Sequence, residues 1–229
     1  MMTAFFSAWR LWWLIHKDLT REIRAPQAWP RTMLLGIVLV LLLATQIDLP
    51  MGQQTRVISG LLWTTIFFSG TLAIERSFPS EHDDGCWQAL LLFPVAPSMI
   101  FFAKMIVNVA SIVILEALLI PLFIVLTDVP LLARPGPLVL IAVLGSIGFA
   151  AVGTLLGGIT AGMRNQGGLL ALLLLPLVAP VLLSSAEATR IALASVDDPL
   201  WWWWIQLLAA FAAVFTAVGA LAFGFVMED

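Results

Sequence analysis

Ser98–Leu126 reads SMIFFAKMIVNVASIVILEALLIPLFIVL, an apolar run in which Lys104 and Glu116 are the only charged residues. As a helix rising ~1.5 Å per residue it would exceed the ~30 Å hydrocarbon core of a bilayer, so it has length to tilt or to begin in the interface. Five further segments read the same way: Pro30–Leu49, Val57–Ile74, Pro137–Ala161, Leu169–Glu187 and Pro199–Val226. Each offers close to the ~20 mainly apolar residues that a spanning helix needs.

The composition agrees with these six spans. The 229 residues are 61% hydrophobic and 11% charged, with a mean hydropathy of +1.03. A soluble domain carries about 25% charged residues and could not hide this much apolar surface, whereas a bilayer removes the problem. The expected fold class is therefore an all-α integral membrane protein with six transmembrane helices. The connections are too short for a folded soluble domain, which makes residues 30–229 one membrane domain.

Residues 1–29 precede it. Phe5, Phe6, Trp9, Trp12 and Trp13 recur near helical spacing, and Lys17, Arg21 and Arg24 supply charge. That pattern predicts an interfacial amphipathic helix, ended by Pro26 and Pro30. The stretch does not have the layout of a cleaved signal peptide.

Six spans put both termini on one side. That side would hold Arg10, Lys17, Arg21, Arg24, Arg31, Arg76, Lys104 and Arg164, and the other side Arg56, Arg134 and Arg190. The excess predicts cytoplasmic termini in a bacterial inner membrane. With no basic stripe, nucleic acid is not an expected partner. The single cysteine, Cys86, excludes an internal disulfide.

The richest polar stretch lies between the second and third spans: Glu75–Pro94, ERSFPSEHDDGCWQALLLFP. Asp84-Gly85 marks a turn. After it, Trp87 to Phe93 form a short apolar helix stopped by Pro94 and Pro97. Such a helix with an acidic lead-in can dock a partner, or it can be a solvated loop with an interfacial turn.

Several motifs carry a resemblance. They are Ala73-Ile74-Glu75-Arg76-x-Phe78, Asp84-Gly85-x-x-x-x-Leu90-Leu91-Leu92-x-Pro94 and Ala103-Lys104. Further on come Arg164-x-x-Gly167-Gly168-x-Leu170 and Leu175-Pro176-Leu177-x-x-Pro180. Together they resemble the B subunit (CcmB) of the cytochrome c maturation ABC transporter, the "heme exporter" permease. The resemblance covers essentially the whole chain and implies an ABC exporter permease fold. Trp87-Gln88 departs from a Leu-Glu pair common in the family, so no ionic contact is expected at Gln88.

The resemblance implies a permease without a nucleotide site, and the chain has no G-x-x-x-x-G-K-[ST] loop. ATP and Mg would sit on a partner ATP-binding subunit (CcmA type). Residues 75–97 would be the coupling loop seated on that subunit, with Glu75, Arg76, Phe78, Asp84, Gly85, Trp87, Leu90, Leu91 and Pro94 at the contact. The other implied partners are membrane subunits of CcmC and CcmD type and a heme chaperone of CcmE type. A homodimeric permease is implied too. Heme would be handled by the complex, since the only histidines, His16 and His82, fall on the cytoplasmic side. No cofactor or metal is expected to bind this chain tightly. Competing readings are an exporter for another substrate, such as a lipid, polysaccharide or drug, and a scaffold with no ATPase.

Inside the spans, Lys104 near the cytoplasmic end can snorkel. Asn108 and Glu116 lie deeper. An ionised carboxylate at that depth costs at least ~2.5 kcal/mol, so Glu116 should face the bundle, water or a partner, or stay protonated. Gly153–Gly157 and Gly158–Gly162 are G-x-x-x-G pairs that let helices approach closely. Pro176 and Pro180 should kink or break the fifth span, as a hinge or a static bend. Trp201–Trp204 fit an interfacial aromatic belt.

Overall fold

The protein was analysed as a computed structural model. It describes residues 12–20, 28–44, 51–77, 96–127, 129, 131, 134–160, 166–194 and 198–228. Six helices follow a helical stretch at residues 12–20: α1 (Ala28–Ala44), α2 (Met51–Glu75), α3 (Pro97–Thr127), α4 (Pro135–Thr160), α5 (Gln166–Leu193) and α6 (Leu200–Glu228). No strand occurs among the described residues.

Five of the helices, α2 to α6, are long and apolar enough to cross a membrane. The chain is thus an all-α, multi-pass membrane protein. α1 has 17 residues and falls short of that length, and the rest of the first expected span lies outside the described residues. α2 starts at Met51 rather than Val57, so the Met51–Arg56 stretch is helical and not a loop.

Proline and capping chemistry sets the helix starts. Pro97 and Pro135 open α3 and α4, where a missing N–H is harmless because the first turn has no acceptor for it. Asp198 caps α6: its Oδ1 accepts the Leu200 N–H at 2.9 Å and its carbonyl accepts the Trp201 N–H at 3.0 Å. α5 runs continuously through Pro176 and Pro180, so of the expected kink or break the helix does not break. The Ser184 hydroxyl bonds the Pro180 carbonyl at 2.6 Å. α3 likewise continues through Pro121.

α2 and α4 form the centre, each with 67% of its membrane window buried, against 22% for α6. Their crossing alternates large residues with glycines. A Cβ on Gly145 would fall 2.9 Å from the Trp63 ring, one on Gly70 2.5 Å from Phe149, and one on Gly153 2.4 Å from Ile74. The contact order rises together on both helices, so α2 and α4 run parallel. Without a hydrophobic drive between helices in lipid, such close backbone approach supplies the attraction.

Buried hydroxyls mostly return to their own helix. Thr65, Thr71 and Thr160 bond the carbonyl four residues back, which removes the penalty of an unpaired group. The bond that crosses from α2 to α5 is different: the Trp63 Nε1–H donates to Thr189 Oγ1 at 3.0 Å. A double-mutant cycle on Trp63→Phe and Thr189→Val should return a coupling of about 0.6–1.7 kcal/mol in thermal unfolding. Additive losses would show that the bond does not fasten α2 to α5.

Candidate functional site

α2 ends at Glu75, the chain turns through Arg76 and Ser77, and α3 begins at Pro97. Residues 78–95 lie outside the described residues, and with them Phe78, Asp84, Gly85, Trp87, Leu90, Leu91 and Pro94. The roots of this loop are described, and Lys104 holds them.

Lys104 sits two turns into α3. Its Nζ donates to the Ser77 carbonyl at 2.7 Å and lies 3.4 Å from Asp18 Oδ2. The side chains are 5% and 9% exposed. Lys17 approaches the other Asp18 oxygen at 3.3 Å. Lys104 therefore does not snorkel: it turns inward and clasps the loop entry from the loop exit, with the helix of residues 12–20 held in the same grip.

Arg76 adds a second tie. Its Nε–H donates to the Leu72 carbonyl at 3.1 Å. Its guanidinium carbon lies 5.8 Å from the centroid of the Trp29 ring on α1, within cation–π range. Thus residues 12–20, the start of α1, the end of α2 and the start of α3 meet at one end of the bundle. Glu75 is half-buried beside them. His16 lies on the 12–20 helix, stacked on Trp12 at 5.1 Å.

Polar groups continue inward along the α3–α4 seam. The Asn108 Nδ2–H donates to Thr154 Oγ1 at 2.9 Å, with both residues buried. Two turns further on each helix, in opposite chain directions, Glu116 meets Ser146. This register makes α3 and α4 antiparallel. Glu116 is 3% exposed, so it faces the interior of its own chain rather than lipid. The contact falls short of hydrogen-bond geometry: Glu116 Oε1 and Ser146 Oγ are buried without a hydrogen-bond partner.

Of the α4 glycines, Gly153 admits Ile74 of α2. Gly153, Gly157 and Gly158 are all buried within the chain, while Gly162 lies outside the described residues. Pro176 and Pro180 stand apart from this cluster on α5.

Sequence reasoning missed Asp18, Ser77, Ser146 and Thr154. Asp18 carried a usable signal, as an acidic residue beside Lys17 in a basic amphipathic stretch. The hydroxyl partners carried none, because a serine or threonine within an apolar span usually bonds its own helix.

Comparison with known proteins adds a family. A family model described as CcmB protein matches residues 9–228. A "Heme exporter protein B" of Paracoccus denitrificans is 28% identical over 211 residues, covering 91% of this chain and 96% of that one. The protein of the same name from Pseudomonas aeruginosa is 27% identical over 199 residues, covering 83% and 88%. That from Rhodobacter capsulatus is 29% identical over 181 residues, covering 77% and 81%.

Proposed function

The chain belongs to the CcmB protein family, and from that premise we propose that it is the membrane permease subunit of an ABC transporter serving c-type cytochrome biogenesis. The match over nearly the whole chain carries this reading, since a relative named heme exporter protein B aligns over 96% of its own length.

The work would come from outside the chain. A partner ATP-binding subunit binds ATP and Mg and seats the loop 75–97 in a surface groove. Its closure pushes on the loop. The clasp at Lys104 then passes that displacement to α3 and to the 12–20 helix together, because all three share one buried ion pair and one backbone bond. Phe78, Asp84, Gly85, Trp87, Leu90, Leu91 and Pro94 form the docking surface, and Glu75 and Arg76 its stem.

The displacement drives heme export or the release of a heme-loaded chaperone of CcmE type. The histidine inventory favours release, since neither His16 nor His82 falls on the expected outer side. The permease works as a homodimer beside subunits of CcmC and CcmD type. The Lys104 end, with most of the Lys and Arg, faces the cytoplasm of a bacterial cell with both termini.

Affinity purification in mild detergent tests this reading. The native chain should bring down an ATP-binding subunit and ATPase activity, and Gly85→Pro should lose or uncouple both. A deletion strain should lack mature c-type cytochromes. A deletion strain with normal cytochromes points to another substrate. Absence of any ATPase partner in every detergent removes the transporter reading.

A further inference from the structure

Nothing in the transport cycle outlined above uses Glu116. It stands near the middle of α3 and is 3% exposed. Its neighbour across the seam is Ser146 on α4, which is fully buried. Glu116 Oε1 and Ser146 Oγ each lack a hydrogen-bond partner. A carboxylate taken out of water needs a cation or several donors in return.

Among the described residues no cation is at hand. Helices α1, α2, α4 and α6 pack against α3. α4 carries no charged residue between Pro135 and Thr160. α6 carries only Glu228, at its last position. α2 carries Arg56 and Glu75, near its two ends. α1 carries only Arg31, which is exposed. On α3 itself, Lys104 stands about 18 Å away along the axis, engaged by Asp18 and Ser77. His16 and Lys17 belong to that same end, on the 12–20 helix. Beyond α4, Glu187 and Arg190 of α5 pair with each other at 2.6 Å.

A proton answers both needs at once. It cancels the charge, and it turns the carboxyl into a donor for Ser146 Oγ. The geometry points to Glu116 as a proton-binding site: a neutral acid held between α3 and α4, whose ionisation loosens that seam. Ionisation breaks the acid O–H bond and passes the proton to water, with no change of redox state. The carboxylate left behind must be hydrated, and the seam has to part to admit water. Two turns away the Asn108–Thr154 bond, 2.9 Å long, ties the same two helices, so a widening seam pulls on it. A metal ion would want further oxygen ligands. Among the described residues, no group of three or more acidic, histidine or cysteine side chains gathers to hold one.

Infrared spectroscopy of the full chain in lipid nanodiscs tests the assignment, with Glu116→Gln as the reference. Glutamine has the shape of the neutral acid and cannot ionise. At neutral pH the native-minus-variant spectrum should contain the carbonyl stretch of a protonated carboxylic acid. Ser146→Ala keeps the acid but removes its acceptor, so it should move that stretch to the position of an unbonded acid. The same variant reads the site if Glu116→Gln fails to fold. Raising the pH should convert the acid band into a carboxylate band, with the ratio changing about tenfold per pH unit. Amide hydrogen exchange in α3 and α4 around Glu116 and Ser146 should quicken about tenfold over the same range, and stay flat in Glu116→Gln. The closed seam binds one more proton than the open one, so its stability falls as pH rises. A carboxylate band at neutral pH overturns the assignment. So does an acid band untouched by Ser146→Ala, or one whose loss leaves exchange unchanged. A band that follows sodium concentration rather than pH would give the site to a metal ion instead. Each reading is made on the chain alone, so this assignment and the transporter reading can fail separately.

Discussion

Lys104→Met should free the 12–20 helix and the loop roots while leaving the membrane bundle folded. Methionine keeps the length and flexibility of the side chain but removes its charge and donors. Among the described residues, Asp18 would keep only Lys17, whose side chain is 38% exposed and already in contact at 3.3 Å. The Ser77 carbonyl would lose its 2.7 Å bond. Breaking a fully buried pair costs about 3–5 kcal/mol, and the surviving Lys17 contact reduces this to about 2 kcal/mol.

Amide hydrogen exchange reads that loss directly. Exchange at residues 12–20 and around Ser77 should speed up about 30-fold, with α4 unchanged. Asp18→Asn should give part of the same effect, and the double variant should fall short of the sum by about 1–2 kcal/mol. On the transporter reading proposed above, ATPase activity of the assembly should persist while cytochrome maturation falls, because the displaced loop no longer grips α3. Unchanged exchange at residues 12–20 in Lys104→Met would show that the ion pair does not hold the helix.

Gly219→Ala should be the most damaging single methyl group in the membrane domain. A Cβ at Gly219 would lie 2.2 Å from Phe101 Cζ and 2.4 Å from Cε2. Phe101 has nowhere to go: it is fully buried and packed on Phe223 at 5.7 Å. A rigid ring cannot bend aside as the tip of Ile74 can beside Gly153. Overpacking of this kind costs about 2–3 kcal/mol, or a fall of roughly 5–10 °C in Tm. Gly60→Ala is the control, since open space surrounds Gly60 on α2. It should be neutral or slightly stabilising, because alanine favours a helix over glycine. Phe101→Leu should restore much of the loss in the Gly219→Ala background. A Gly219→Ala chain as stable as the native one would show that α3 and α6 are not packed this closely.

Most of the architecture was legible because its causes are local. Apolar runs of spanning length place α2 to α6 without reference to any neighbour. Pro97, Pro135 and Asp198 set helix starts from within their own first turns, a local cause too, although the sequence reading took Pro97 only as a stop. The family was also legible, through motifs near Glu75, Gly85 and Pro176, and the family model matches residues 9–228.

Errors came where neighbours decide. Pro176 and Pro180 predicted a kink or a break, and the break does not occur: α5 is continuous between Gln166 and Leu193, packed against α2, α4 and α6. In lipid, surrounding helices and hydroxyls can replace the lost backbone bonds. Lys104 predicted a snorkelling cation, because nothing in α3 shows that an aspartate from the amino-terminal helix arrives beside it.

Sequence by itself determined that this chain lives in a bilayer, which segments are helical, and which family it belongs to. Those are properties of composition, period and short motifs, and they survive without knowing what packs on what. Tertiary structure alone decided that Lys104 closes the loop by pairing with Asp18, that Asn108 finds Thr154, and that Glu116 turns inward toward Ser146. It also decided which glycine receives which ring. Each of these joins residues far apart in the chain, and a side chain's partner depends on crossing geometry between helices that no single helix encodes.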